Sequence, residues 1–189
     1  MVDFTLHTKE TAPADAKRLL EASEKSFGRI PNLHAVMAES PEHLEAYQQL
    51  HGLFQKTSLS TAERNVVWLA INVEHECTYC VPAHSAIAKM QGVDDETVKA
   101  LRDNTPLADP KLEALRTFTL QVVRERGHVS QQDVQAFLDA GYTQRHVLDV
   151  ILGLAQKVMS NYVNHIANTP TDAAFAAFGW TPPSRAAAE

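Results

Sequence analysis

A chain of 189 residues with 44% hydrophobic residues and a net charge of −6 is long enough for one domain with a real core and short for two. The acidic balance and the lack of any run of basic residues argue against a nucleic-acid partner or an anionic membrane surface. No apolar run approaches the roughly 18 residues of a membrane span. The opening MVDFTLHTKE lacks the basic and apolar regions of a secretory signal, so a cytoplasmic protein is expected.

The chain then reads as helix after helix. A first helix over 12–27 has Pro13 near its first turn and stops at Gly28. A short one follows over 31–39, and a third over 41–57 with Leu44, Tyr47, Leu50, His51 and Phe54 at three-to-four-residue spacing. Ser60-x-x-Glu63 is a capping box that opens the fourth, ahead of Val66, Val67, Leu69, Ala70 and Val73. A fifth is predicted from Thr78 to Met90, closed by Gly92, and a short sixth over 94–102 starts acidic, as the helix dipole favours. After a loop with Pro106 and Pro110 come helices over 110–126 and 130–140, ending at Gly127 and Gly141. The longest runs over 143–167, and the tail after Trp180 is expected to be frayed.

No alternating run flanked by turn residues stands out, so the fold class is all-α, about ten helices in a single domain over 1–189. A capped long helix followed by a second helical segment occurs at 60–90 and again at 143–178. An internal pseudo-two-fold repeat accounts for this, with chance likeness of amphipathic helices as the competing explanation. The second copy lacks the cysteines.

Those cysteines stand in EHECTYCVPAHS, residues 74–85, as C-x-x-C-x-x-x-H. In a reducing compartment such a pair is more often redox-active or metal-binding than a structural staple. If Thr78 caps the fifth helix, Cys77 lies beside its N-terminus and Cys80 in its first turn, where free N–H groups and the dipole favour a thiolate. Cys80 and His84 then share a helix face, so the histidine can take the thiol proton or stabilise the thiolate as imidazolium. Cys77 can resolve a sulfenic acid on Cys80 to a disulfide. Two alternatives stay open: buried core thiols, or a metal site joining Cys77, Cys80 and His84 to His75 or His165. No second C-x-x-C completes a closed zinc site.

The segment 59–91, LSTAERNVVWLAINVEHECTYCVPAHSAIAKMQ, resembles the core of the alkylhydroperoxidase D (AhpD)-like group of the carboxymuconolactone decarboxylase superfamily. The likeness lies in the LSxxER opening, the apolar helix, the C-x-x-C-x-x-x-H with Tyr79 between the cysteines, and the AHS ending. The stretch NHIANTPTD over 164–172 is similar to a second-half pattern of the longer peroxidase-related members. The resemblance implies an all-helical homo-oligomer that reduces organic hydroperoxides through a cysteine pair. It implies Cys80 as attacking thiol, Cys77 as resolving thiol and His84 in the proton relay. A thioredoxin-like or lipoylated dithiol protein would re-reduce the Cys77–Cys80 disulfide, with no further cofactor and no metal.

One position departs from the pattern. Where the family's enzymatic prototype has a glutamate twelve residues before the first cysteine, this chain has Asn65, which cannot shuttle a proton as a carboxylate can. Glu74 is the expected replacement and Glu76 the alternative. At about 100° per residue Asn65, Asn72 and Glu76 share one face of the fourth helix if it stays helical that far. Glu63 reads as a capping residue. His7, His34 and His43 are expected on surface segments, His51 at the core edge, His165 as an approach from the second half, and Trp68 and Trp180 as packing residues. A redox sensor without turnover and a lactone-processing decarboxylase are the competing functions.

Overall fold

Helix starts follow their caps. Ser60 Oγ accepts from the Glu63 N–H while the Glu63 carboxylate accepts from the Ser60 N–H at 2.7 Å, the reciprocal box written in the sequence. Asp94, Asp109 and Ser130 cap three more helices with a side-chain acceptor alone, each worth about 1 kcal/mol. The result, a computed structural model that describes residues 3–182, is a set of helices with no strand among the described residues. In order they are α1 (Ala14–Phe27), α2 (Asn32–Met37), α3 (Pro41–Gln55), α4 (Thr61–Glu74), α5 (Cys80–Met90), α6 (Asp95–Arg102), α7 (Pro110–Arg124), α8 (Gln131–Asp139) and α9 (Gln144–Ala167), then a 3₁₀ helix (Ala173–Phe178). The all-α expectation holds. The frayed tail expected after Trp180 falls, from residue 183 onward, outside the described residues.

α4 is the axis of the molecule. Every residue from 65 to 73 on it is buried, and it packs against α5, α6, α7 and α9. One apolar cluster joins α4 to α6, α7, α8 and α9 around Trp68, Leu69, Leu115, Phe118 and Phe137. A second gathers α1, α2 and α3 over the turn that carries Cys77, Tyr79 and Cys80. The dithiol therefore sits at the seam between the layers. No helix of the described residues is long and apolar enough to cross a membrane.

Two boundaries differ from expectation. α4 stops at Glu74, so Glu76 leaves the helical face it was expected to share with Asn65 and Asn72, and its φ of 53° puts it in the left-handed region. α5 starts at Cys80 rather than Thr78, with Tyr79 at its N-cap and no side-chain cap, while the Cys80 N–H donates to Cys77 Sγ at 3.3 Å.

Candidate active site

The turn between α4 and α5 is a Schellman motif. The Cys77 N–H donates to Asn72 O at 3.0 Å and the Glu76 N–H to Val73 O at 2.9 Å, around the left-handed Glu76. This reverses the chain and drops both cysteines into the interior, Cys77 at 0% and Cys80 at 2% exposure. From α9, Asn164 Nδ2 lies 3.2 Å from Cys80 Sγ and 3.9 Å from Cys77 Sγ. Across from them Lys157, fully buried, holds its Nζ 2.8 Å from His84 Nε2.

These neighbours decide where the thiol proton resides. Burial alone would push the Cys80 thiol up. The Cys77 thiol donating to its sulfur, the Lys157 charge, and hydrogen bonds from Ser160 and Asn161 together outweigh burial and hold Cys80 below the ordinary thiol value. Cys77 moves the opposite way, because its proton is held by Cys80 and it is itself buried. The two directions favour a proton shared between the pair, with Cys80 the more readily ionised sulfur. Burial, then the charges of Lys157 and His51, keep His84 neutral, well below the usual histidine range. The positive charge beside the thiolate is therefore a lysine, and the imidazolium considered for His84 is disfavoured. With Nε2 accepting from Lys157, the ring proton falls on Nδ1, a buried atom with no hydrogen-bond partner among the described residues. Burial pulls Lys157 down while Cys80 and Cys77 pull it up, so it can both stabilise the thiolate and yield a proton.

Tyr79, between the cysteines, ties the turn to the segment after α9. Its hydroxyl donates to Asp172 and accepts from the Leu33 N–H at 3.2 Å. Asp172 also accepts from the Asn32 N–H at 3.3 Å. Three distant stretches are so fixed around one aromatic ring. A second buried network flanks the site: Trp68 donates to Gln156 at 2.8 Å, Gln156 meets His51 at 3.1 Å, and the Trp68 ring stacks on His51 at 5.5 Å.

A cavity of about 690 Å³ opens between α1, α2, α3 and α5, and Cys80, Tyr79, His84, Lys157, Tyr47 and His34 are among its walls. Cys77 is not. A small molecule entering here meets one sulfur only.

Of the residues expected from the sequence, Cys77, Cys80 and His84 converge on this seam, while Glu74 does not. Its carboxylate is clamped by Arg124 of α7 through two 2.7 Å hydrogen bonds, and it does not line the cavity. Neither does Glu76. Glu63 stays in its capping box. His34, expected on the surface, is buried in the cavity wall, and His7 is buried with its Nε2 on Glu39 at 2.6 Å. His165 is exposed on α9, and the residue before it, Asn164, reaches the sulfurs instead. Among the described residues no three His, Cys, Asp or Glu side chains gather as a metal would need.

Lys157, Ser160, Asn161 and Asn164 were missed. The signal was present: Gln156, Lys157, Ser160, Asn161 and Asn164 fall one, three or four residues apart, which is one face of a helix. A polar face on the longest helix of a buried bundle has to meet something polar.

Comparison with known proteins shows a likeness in the segment that carries the site and in the fold. A model of the carboxymuconolactone decarboxylase family matches residues 41–121, from the start of α3 into α7 and across both cysteines and His84. Over that segment, which is less than half of the chain, the protein is similar to the family. The AhpD core of a peroxidase-related protein from Ralstonia eutropha JMP134 superposes with a TM-score of 0.81 at 22% identity, covering 91% of this chain and 93% of that one. A peroxidase-related protein from Silicibacter sp. TM1040 gives 0.78 at 20% identity, over 92% of each chain. The debrominase Bmp8, in complex with 2,3,4-tribromopyrrole, gives 0.77 at 15% identity, over 94% of this chain and 95% of that one. At these identities the likeness is one of fold. In sequence, mouse Sestrin-2 is 26% identical over 131 residues, 68% of this chain. The chain spans about a quarter of the length of that relative, 26%.

Proposed function

We propose that the protein is a cytoplasmic thiol peroxidase of the AhpD type, acting on organic hydroperoxides. The observation that carries this reading is that the cavity reaches Cys80, the sulfur whose surroundings favour a thiolate, while Cys77 waits behind it with the shared proton. The Cys80 thiolate attacks the terminal peroxide oxygen, the O–O bond breaks, and an alkoxide leaves from a Cys80 sulfenic acid. Lys157, hydrogen-bonded to His84, is placed to give the alkoxide its proton, and the product is an alcohol. Cys77 then attacks the sulfenic sulfur, releasing water and closing the disulfide. A thioredoxin-like or lipoylated dithiol protein supplies the two electrons that reopen it. Lys157 takes the proton-handling part expected of Glu74. We further propose a homo-oligomer, on the exposed apolar face of α9.

The test is turnover of cumene hydroperoxide with dihydrolipoamide as reductant, in wild type and Cys80→Ser. Activity that survives Cys80→Ser would sink the mechanism. A second reading draws on the same dithiol and on the aromatic cavity walls, Phe27, Tyr47, Tyr79 and Phe175. It is reductive removal of bromide from an aromatic ring, two thiols giving a disulfide, the debrominated ring and hydrogen bromide. Bromide release from 2,3,4-tribromopyrrole without peroxide turnover would favour it.

A further inference from the structure

The charge inside the cavity runs against the charge of the protein. The chain has 23 acidic and 17 basic residues. Yet among the described residues no Asp or Glu lines the cavity, and its charged side chains are Lys157 and Arg29. The two cations stand differently. Lys157 is buried and engaged with His84. Arg29 has a side chain 39% exposed, on the stretch between α1 and α2. The wall also includes exposed Phe27, Gln55 and Met90, which mark the open side, whereas Cys80 is fully inside.

Arg29 is held but not satisfied. Its guanidinium lies 5.0 Å over the Phe175 ring, which fixes the plane. Its Nε comes within 3.6 Å of Asp172 and, among the described residues, is a buried donor without a hydrogen bond. Asp172 is already occupied by the Tyr79 hydroxyl and the Asn32 N–H. Among the described residues no acceptor takes the terminal N–H groups of Arg29. A planar, oriented guanidinium with free donors at the edge of an apolar cavity matches a carboxylate.

We infer that the cavity takes an amphipathic hydroperoxide carrying a carboxylate, with the acid on Arg29, the hydrocarbon along the apolar walls and the O–O group at Cys80. The space of about 690 Å³ falls in the usual range for a drug-sized ligand, so a long chain can be accommodated. This inference rests on the peroxidase reading for the reacting end and stands apart from it for the binding end.

The experiment therefore has two arms. In the first, kcat/KM is measured for linoleic acid hydroperoxide and its methyl ester. Wild type is expected to prefer the acid by on the order of tenfold, mostly through KM, as a charge-assisted hydrogen bond allows. Arg29→Gln is expected to bring the ratio close to one, and Arg29→Lys, which keeps the charge but loses the planar fork, to fall between wild type and Arg29→Gln. The ratio cancels any loss common to both substrates. In the second arm, binding of linoleate and methyl linoleate is measured by calorimetry, which needs no turnover. Linoleate binding lost in Arg29→Gln, with no hydroperoxide turned over, leaves this inference standing and fells the peroxidase reading alone. Equal affinity of wild type for acid and ester overturns the inference, as does a preference that survives Arg29→Gln.

Discussion

A thiolate in a buried seam needs an opposite charge close by, and in this protein that charge comes from 77 positions further along the chain. Lys157 and Cys80 support each other: the thiolate keeps the lysine charged against its burial, and the lysine keeps the thiol ionised. Replacing Lys157 by Met leaves the thiolate facing burial with only neutral donors. The inflection of the pH profile for iodoacetamide alkylation of Cys80, below the ordinary thiol value in wild type, is then expected to move upward. At neutral pH the rate falls by on the order of tenfold or more. An unshifted profile would remove Lys157 from the site. Asn164 gives a neutral donor at 3.2 Å, so Asn164→Ala is expected to cost about 1 kcal/mol of thiolate stability, roughly a fivefold slower alkylation at neutral pH with the disulfide still able to form. The sequence made the cysteines and His84 legible because they lie within one helical turn or two of each other. Lys157 and Asn164 are legible only as a polar face on α9; what that face meets is settled by packing α9 against α4, which no local spacing encodes. The same limit explains Glu74. Its place three residues before Cys77 reads as proximity, but the helix end points it at Arg124.

Helix ends set the geometry that those side chains inherit. α4, α6, α7 and α9 each end in a left-handed residue that is not glycine: Glu76, Asn104, Arg126 and Asn168. For Glu76 the cost is highest in consequence, because the turn it makes aims both cysteines. Glu76→Gly relieves a left-handed side chain of about 1–2 kcal/mol and adds unfolded-state freedom, for a net gain of about 0.5–1 kcal/mol in urea unfolding. Turnover should persist, since the Glu76 carboxylate does not line the cavity; activity lost in this variant would restore Glu76 as the relay. Gly153, in mid-α9, is the opposite case. A Cβ there would stand 2.7 Å from the Phe54 ring and 3.0 Å from Val67, both fully buried. Gly153→Ala should gain helix propensity yet destabilise by about 1–3 kcal/mol through overpacking between α3, α4 and α9, read as a lower urea midpoint. Most helices were legible from their caps, with Ser60–Glu63 the clearest. The start of α5 was not, because its N-cap is Tyr79 and no side chain caps it.

At the scale of the molecule, α9 has two faces with different debts. Its inner face meets α3 and α4 and carries the polar residues of the site. Its outer face leaves Leu148 67%, Ile151 48%, Tyr162 51% and Ile166 72% exposed. With exposed Ala155 and half-buried Val158 between them, these residues recur every three or four positions, the spacing of a helix–helix seam. Left in water, such a stripe forgoes about 25 cal/mol for each Å² it could bury. Because one face has to meet its own copy in a two-fold dimer, a charge placed on it is repeated against itself. Leu148→Glu with Ile166→Glu is therefore expected to convert the proposed oligomer to a monomer by light scattering after size exclusion. The thiolate, its lysine and the cavity come from one chain, so the alkylation profile of Cys80 should match wild type in that monomer. A wild-type protein that is already monomeric at micromolar concentration would refute the assembly, and a profile shifted in the variant would mean that the neighbouring copy helps to hold α9, and with it Lys157, in place.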